Sequence, residues 1–422
     1  MRDAIAFILC GGQGERLHPL TKDRAKPAVP FGGIYRVIDF TLSNCVNSEL
    51  RRLFLLTQYK SFALEKHVFG GWNVFSTGLG DFIHLLPPQQ RVKDDWYLGT
   101  ADAVNQNIYS IRATSPEFVF VLSGDHVYKM DYRKMLRSHS RRKADVTIGT
   151  YKVSVRDADR FGVVEVDQKS RIIGFHEKPA VPICVPGDPK HALASMGVYL
   201  FSTQALVGAL MADAEDADSD HDFGRDVIPK MIGGYRVMGY EFEDENRGPE
   251  PYWRDVGTID DYYQANMDLL EVKPQFNLYD PAWPFYTYRP QVPPTKTVFA
   301  MGRRAARITD SLVADGCIIS GGKVHRSVLS FGVRVESYAR VDECVLMQGV
   351  HVGSGARLRR VVVDRDVRLP DGTEIGYDLE HDRQRFTVTP GGIVVVPEGA
   401  ALGEEPAPGA IPAVPEGSVT PL

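Results

Sequence analysis

The chain has 422 residues, a formal net charge of −5 and 43% hydrophobic residues, with a mean hydropathy of −0.20. That length suits two or three domains of roughly 100–200 residues each, and no apolar run of roughly 18 residues is present to cross a membrane. The mildly acidic balance argues against nucleic acid as a partner but allows a local basic pocket for small anions.

Five cysteines (Cys10, Cys45, Cys184, Cys317, Cys344) are scattered and never in a Cys-x-x-Cys pattern, so neither a disulfide framework nor a zinc site is indicated. The first apolar run, residues 4–9, is too short for a secretory leader and enters glycines, so cytoplasmic residence is the expectation.

Residues 4–9 read as a strand that breaks into Gly11-Gly12-Gln13-Gly14-Glu15-Arg16-Leu17, followed by Lys26-Pro27. Glycines let backbone amides crowd around an anion, and Arg16 and Lys26 add fixed positive charge for phosphate. The spacing is neither the Gly-x-Gly-x-x-Gly of dinucleotide folds nor a P-loop ending in Gly-Lys-Ser/Thr.

Further short apolar runs at residues 53–57, 118–122 and 146–151, separated by room for helices, predict an α/β domain with a mostly parallel sheet. Ligands in such sheets sit beyond the carboxyl ends of the strands, where both the glycine loop and Asp125 fall. Two carboxylates, Asp125 and Asp255, meet what Mg²⁺ asks of a protein, although a helix cap and a turn support are equally open from residue type alone. The acidic run 213–222 reads as a solvated loop, with Asp222 or Ser219 capping the next helix.

Residues 271–310 carry Pro274, Pro281, Pro284, Pro290, Pro293 and Pro294 and read as a connector wrapping a surface. Beyond it, aliphatic residues recur in trios: Leu312, Ile318, Val324; Leu329, Val335, Val341; Leu346, Val352, Leu358; Val363, Leu369, Ile375. The steps are six, six and five, and each trio lies 17 residues from the next. One inward aliphatic per side of a triangular prism gives this pattern, so four coils of a parallel β-helix are predicted. The division is thus 1–270, 271–310, 311–398 and a Pro/Ala/Gly/Glu tail over 399–422 that is expected to be disordered.

Blocks in order along the chain carry a resemblance: the glycine loop, Arg24-Ala25-Lys26-Pro27, Gln89-Gln90-Arg91, Trp96-Tyr97-Leu98-Gly99-Thr100, Gly124-Asp125-His126, Phe175-His176-Glu177-Lys178-Pro179, Ala194-Ser195-Met196-Gly197, His221-Asp222-Phe223-Gly224 and Tyr252-Trp253-Arg254-Asp255. This set resembles the sugar-1-phosphate nucleotidylyltransferases and, among them, is similar to the bacterial glucose-1-phosphate adenylyltransferase family, over residues 4 to 396. The resemblance implies a Rossmann-like catalytic domain followed by a left-handed β-helix that regulates and oligomerises. It implies transfer of adenylyl from ATP to α-D-glucose 1-phosphate, giving ADP-glucose for α-glucan synthesis, with Mg²⁺ as cofactor, sugar-phosphate or pyruvate-type effectors and a homotetramer.

By the same resemblance Asp125, Arg16 and Lys26 are catalytic, and Asp125 and Asp255 hold the metal. Gly11, Gly12, Gly14, Gln58, Gln90, Tyr97 and Gly99 bind the nucleotide, and Glu177, Lys178, Ser195 and Gly162 the sugar phosphate. Gln90, Trp96 and Tyr97 are also placed to relay effector signals. The attacking phosphate monoester is already largely ionised near neutrality, its second pKa being about 6, so His126 has nothing to abstract and is expected to be structural.

Asp23 stands where relatives activated by sugar bisphosphates carry lysine, so weak activation or a different effector is expected, with Arg24, Arg359 and Arg360 as candidate contacts. Three alternatives remain open: a sister enzyme using UTP, dTTP or GTP, a non-catalytic regulatory subunit, and an acyltransferase built on the β-helix with His325 or His351.

Overall fold

The computed structural model describes every residue except Gln13, residues 89–95, 301–303, 401 and 403–422. The strand Ala4–Leu9 is buried almost throughout, as an unbroken apolar run must be when a sheet is covered on both faces. It pairs in parallel with Arg52–Leu56 on one side and Phe118–Ser123 on the other, and Arg52–Leu56 pairs in parallel with Phe82–Leu86.

These four strands form a parallel block within a nine-stranded sheet, in which Val237–Glu241 also pairs in parallel with Val146–Ser154. The long strand His191–Ser202 runs antiparallel beside Phe118–Ser123 and carries the sheet on to Val146–Ser154 and Gly162–Val166. Alternate residues face opposite layers: Ile5, Phe7, Val119 and Val121 enter one core, while Ala4, Ala6, Ile8, Phe120 and Leu122 enter the other.

The proline-rich stretch does wrap a surface. Trp283 donates its indole N–H to Asn44 at 2.9 Å, Asn47 donates to the Pro284 carbonyl at 2.9 Å, and Thr287 donates to Asp39 at 2.7 Å. Asp39 is fully buried and also accepts from Trp72 and the Arg36 amide, so the strap adds one more donor to a buried carboxylate that must be hydrogen-bonded.

From Lys296 onward, strands of two or three residues stack in parallel, coil upon coil. The expected inward register holds from Val324: Leu329, Leu346 and Val363 lie in line, as do Val335, Val352 and Leu369, and Val341, Leu358 and Ile375. Two positions are corrected. Val313, not Leu312, stacks on Leu329, and Ile319, not Ile318, stacks on Val335, so the first coil is a residue shorter than the rest. Both slips occur at aliphatic doublets, where either neighbour satisfies a step of six.

The β-helix also extends beyond the four expected coils. Lys296–Val298 and Arg307–Thr309 supply an earlier rung inside the supposed connector, and Val394–Val396 stacks on Val361–Val363 as a later one.

One outer face of the prism is apolar as well. Val328, Val345, Val362 and Val395 lie in register and share a core with Phe31, Tyr262, Tyr263 and Met267 of the catalytic domain. That column, also at 17-residue spacing over its first three members, is the sequence signal for the docking face.

Candidate active site

A cleft of about 740 Å³ opens at the carboxyl ends of the parallel strands. Its walls bring together Gly11, Gly12, Gly14, Arg16, Lys26, Gln58, Tyr97, Gly99 and Asp125. A second hollow of about 830 Å³ shares Leu98, Gly99 and Asp222 with it and is lined by Glu177 and Lys178. Of the residues assigned to nucleotide, Gly11, Gly12, Gly14, Gln58, Tyr97 and Gly99 line the first lobe, and of those assigned to sugar phosphate only Glu177 and Lys178 line the second.

At the floor, Lys26 sits between two carboxylates, its Nζ 2.7 Å from Asp125 and 2.9 Å from Asp255. Asp125 follows the strand Phe118–Ser123, and Asp255 ends the short strand Trp253–Asp255, which pairs antiparallel with His126–Tyr128. That pairing sets Asp255 opposite His126 and brings the two carboxylates together.

Burial works against the charged Asp125 carboxylate, but the Lys26 ammonium, His126 and the Ser123 hydroxyl outweigh it and hold Asp125 below the usual carboxylate range. Burial likewise opposes the Lys26 ammonium, and Asp125 and Asp255 together raise it above the usual lysine value. Lys26 therefore faces carboxylates, not open phosphate space as its type suggested.

His126 packs edge-on against Trp253 with centroids 5.1 Å apart, and its Nε2 lies 3.5 Å from Asp125 and 3.9 Å from Asp255. Ligand atoms of Asp125, His126 and Asp255 all fall within 4.8 Å of one another. Two carboxylate oxygens converging on one point are the hard donor set that Mg²⁺ takes, with phosphate and water completing its shell.

The glycines have separable reasons. Gly14 has φ +65° and opens the 3₁₀ turn Glu15–Leu17, a conformation that favours glycine. A Cβ on Gly99 would lie 2.3 Å from the His221 carbonyl, which itself accepts a hydrogen bond from the Ala101 amide at 2.8 Å. Gly162 lines neither lobe; a Cβ there would fall 2.9 Å from Glu177 Oε2 and 2.7 Å from the Phe175 ring, so it makes room for Glu177.

Arg16 is exposed at the cleft edge. Gln58 donates to the Tyr97 carbonyl at 3.2 Å and Tyr97 to that of Leu86 at 3.2 Å; Tyr97 is buried while Trp96 is exposed. Gln90 lies outside the described residues. Lys178, at φ +45°, places its ammonium 3.1 Å from Glu177. Ser195 is buried and donates to Tyr199 at 3.3 Å; it does not line either lobe.

Two further expectations change. Arg24, an expected effector contact, is buried and ion-paired with Asp364 at 2.7 Å. The acidic run is not simply solvated: Asp213 is buried and accepts from Ser219 and His221. Asp222 does cap the following turn, accepting from the Gly224 and Arg225 amides, but it also accepts from Thr100 at 2.9 Å and lines both lobes. Asp222, Thr100 and Arg225 are cleft residues that sequence reasoning passed over, although His221-Asp222-Phe223-Gly224 stood among the ordered blocks.

Residues 5–272 match the nucleotidyl transferase family, and residues 293–396 match the GlmU-like C-terminal hexapeptide family, consistent with a left-handed β-helix. The chain is 52% identical over 408 residues to glucose-1-phosphate adenylyltransferase of Koribacter versatilis (strain Ellin345), covering 96% of this chain and 98% of that one. It is 51% identical to the enzyme of that name from Rhodopirellula baltica, covering 95% and 91% of the two chains, and 50% identical to that of Methylobacillus flagellatus, covering 94% and 93%. A two-lobed cleft over a lysine-bridged carboxylate pair, a β-helix docked through its valine column and full-length relatedness agree: the chain belongs to the glucose-1-phosphate adenylyltransferase family.

Proposed function

We propose that the chain transfers the adenylyl group of ATP to α-D-glucose 1-phosphate with release of pyrophosphate, and that it is Mg²⁺-dependent. The observation that carries this reading is the Lys26–Asp125–Asp255 cluster, in which Lys26 and Asp125 line the first lobe of the cleft and Asp255 meets Lys26 at 2.9 Å. An oxygen of the sugar phosphate forms a bond to the α-phosphorus of ATP, and pyrophosphate leaves with the electron pair of the broken P–O bond. No proton need be removed from the nucleophile, so catalysis is positioning and charge compensation.

Arg16 and the backbone amides of the glycine loop hold the triphosphate, and Lys178 and Glu177 hold the sugar phosphate and its hydroxyls. Asp125 and Asp255 would hold Mg²⁺, which when bound supplies charge to offset phosphate repulsion. Lys26 keeps the two carboxylates together, and its ammonium holds Asp125 ionised, before substrate arrives.

Regulation and assembly belong to the same proposal. The β-helix docks on the catalytic domain along a continuous apolar face, which suits a regulatory scaffold in a homotetramer. Asp23 is exposed beside the buried Arg24, and its charge opposes a bisphosphate, so strong activation by fructose 1,6-bisphosphate is not expected.

The test is pyrophosphate release with Mg²⁺, glucose 1-phosphate and each nucleoside triphosphate in turn, with and without fructose 6-phosphate, fructose 1,6-bisphosphate and pyruvate. Release confined to ATP supports the reading. Release with UTP or dTTP instead moves it to a sister enzyme, and silence throughout would indicate a regulatory subunit.

A further inference from the structure

Two polar contacts tie the catalytic domain to the far end of the β-helix, and they flank the catalytic cluster in sequence. Upstream, Arg24 precedes Lys26 by two residues and directs Nη2 at both oxygens of Asp364, at 2.7 and 2.9 Å, with each side chain 3% exposed. Downstream, Asp260 follows Asp255 by five residues and accepts from the Thr389 hydroxyl at 2.6 Å and the Gly391 amide at 3.4 Å.

Both anchors stand on one rigid piece. Asp364 follows Val361–Val363, which pairs in parallel with Val394–Val396, and Thr387–Val388 closes on that same strand as a hairpin. The Asp364 amide donates to the Val396 carbonyl at 2.9 Å, and Glu398 reaches Arg365 at 2.7 Å and Arg24 at 3.5 Å.

We infer that the last rungs of the β-helix act as a positioning element for the adenylyl transfer, fixing the Lys26–Asp255 separation by holding Arg24 on one side and Asp260 on the other. A buried ion pair is a weak source of net stability, since desolvation offsets much of its attraction. Its geometric constraint is what an apolar contact would lack. Lys26 is within two residues of one anchor and Asp255 within five of the other, and their side chains meet at 2.9 Å, so a shift at either anchor is delivered to the cluster. Arg24, Asp364, Asp260 and Thr389 are thus positioning residues; none lines the cleft.

This rests on the adenylyl-transfer reading, and the experiment separates the two. Full-length wild type is assayed first with ATP, glucose 1-phosphate and Mg²⁺; inactivity there defeats the parent reading. Asp364→Asn, Thr389→Val and Thr389→Ser are then compared well below their melting temperatures, with melting curves in parallel. The expected result is a kcat at least tenfold lower for Asp364→Asn and Thr389→Val, with KM for both substrates within about twofold. Thr389→Ser, which keeps the hydroxyl, should retain wild-type kcat. The double variant Asp364→Asn/Thr389→Val should fall by less than the product of the single effects, because either loss releases the same separation. If folded Asp364→Asn and Thr389→Val keep kcat within twofold, or if Thr389→Ser is as impaired as Thr389→Val, the positioning role is overturned.

Discussion

The ammonium of Lys26, itself buried, lies 2.7 Å from the carboxylate of Asp125, a half-buried residue 99 positions away that lines the cleft. Because Asp125 is held below the ordinary carboxylate value, near 3.9, the stability it contributes is fully present above about pH 4. That contribution is lost as pH falls through the lowered folded value. Lys26 is held above its ordinary value, near 10.4, so its contribution is present below about pH 10 and lost only as pH rises through the raised folded value. Asp125→Asn should therefore flatten the acid limb of stability: melting temperature measured from pH 7 down to pH 2.5 should fall less steeply than in wild type. Parallel slopes would contradict the pairing.

Replacing Lys26 by methionine leaves Asp125 and Asp255 facing each other without a cation. Breaking a buried pair in this way costs about 3–5 kcal/mol, and turnover should fall by at least a hundredfold. If these carboxylates are the metal ligands, Mg²⁺ binding should now be linked to folding, so Lys26→Met should melt well below wild type in EDTA and recover part of the deficit in millimolar Mg²⁺. Melting curves in the two buffers decide it; a deficit indifferent to Mg²⁺ would remove the two aspartates as the site.

The catalytic half of the fold was legible because its signals are local: buried apolar runs become central strands, and the glycine loop follows the first of them. Asp125 and Asp255 were legible as chemistry but not as neighbours of Lys26, since 99 and 229 residues separate the partners. Arg24 was misplaced for the same reason. Arginine is ordinarily exposed, and only the fold reveals Asp364, 340 residues on, as the partner that allows its burial. In the β-helix the period was legible and the register nearly so, failing only at Leu312-Val313 and Ile318-Ile319, where side-chain chemistry does not distinguish the inward from the outward neighbour.

Glu177 and Lys178 meet at 3.1 Å on the rim of the second lobe. If that lobe takes the sugar phosphate, Lys178→Met should raise KM for glucose 1-phosphate by roughly 10- to 100-fold, as expected for loss of a charge-assisted contact, while KM for ATP stays within about twofold. Glu177→Gln should act in the same direction more weakly. Steady-state kinetics with each substrate varied in turn checks this, and an equal rise in both KM values would reassign the lobe.

Gly99 gives the sharpest steric test, because it stands where the lobes join. Its Cβ would meet the His221 carbonyl oxygen at 2.3 Å and that of Asp220 at 2.5 Å, and both obstacles are backbone, so no side-chain rotation relieves them. Gly99→Ala must push the 219–222 loop off the Gly99-Thr100-Ala101 turn, straining the Ala101 amide bond to His221 and the Thr100 bond to Asp222. Overpacking of this kind costs about 1–3 kcal/mol. Because Asp222 and Gly99 line both lobes, KM should rise for ATP and glucose 1-phosphate together, in contrast to Lys178→Met. Melting temperature and the two KM values test it: unchanged KM values with a lowered melting temperature would mean that the turn supports the fold without shaping the cleft.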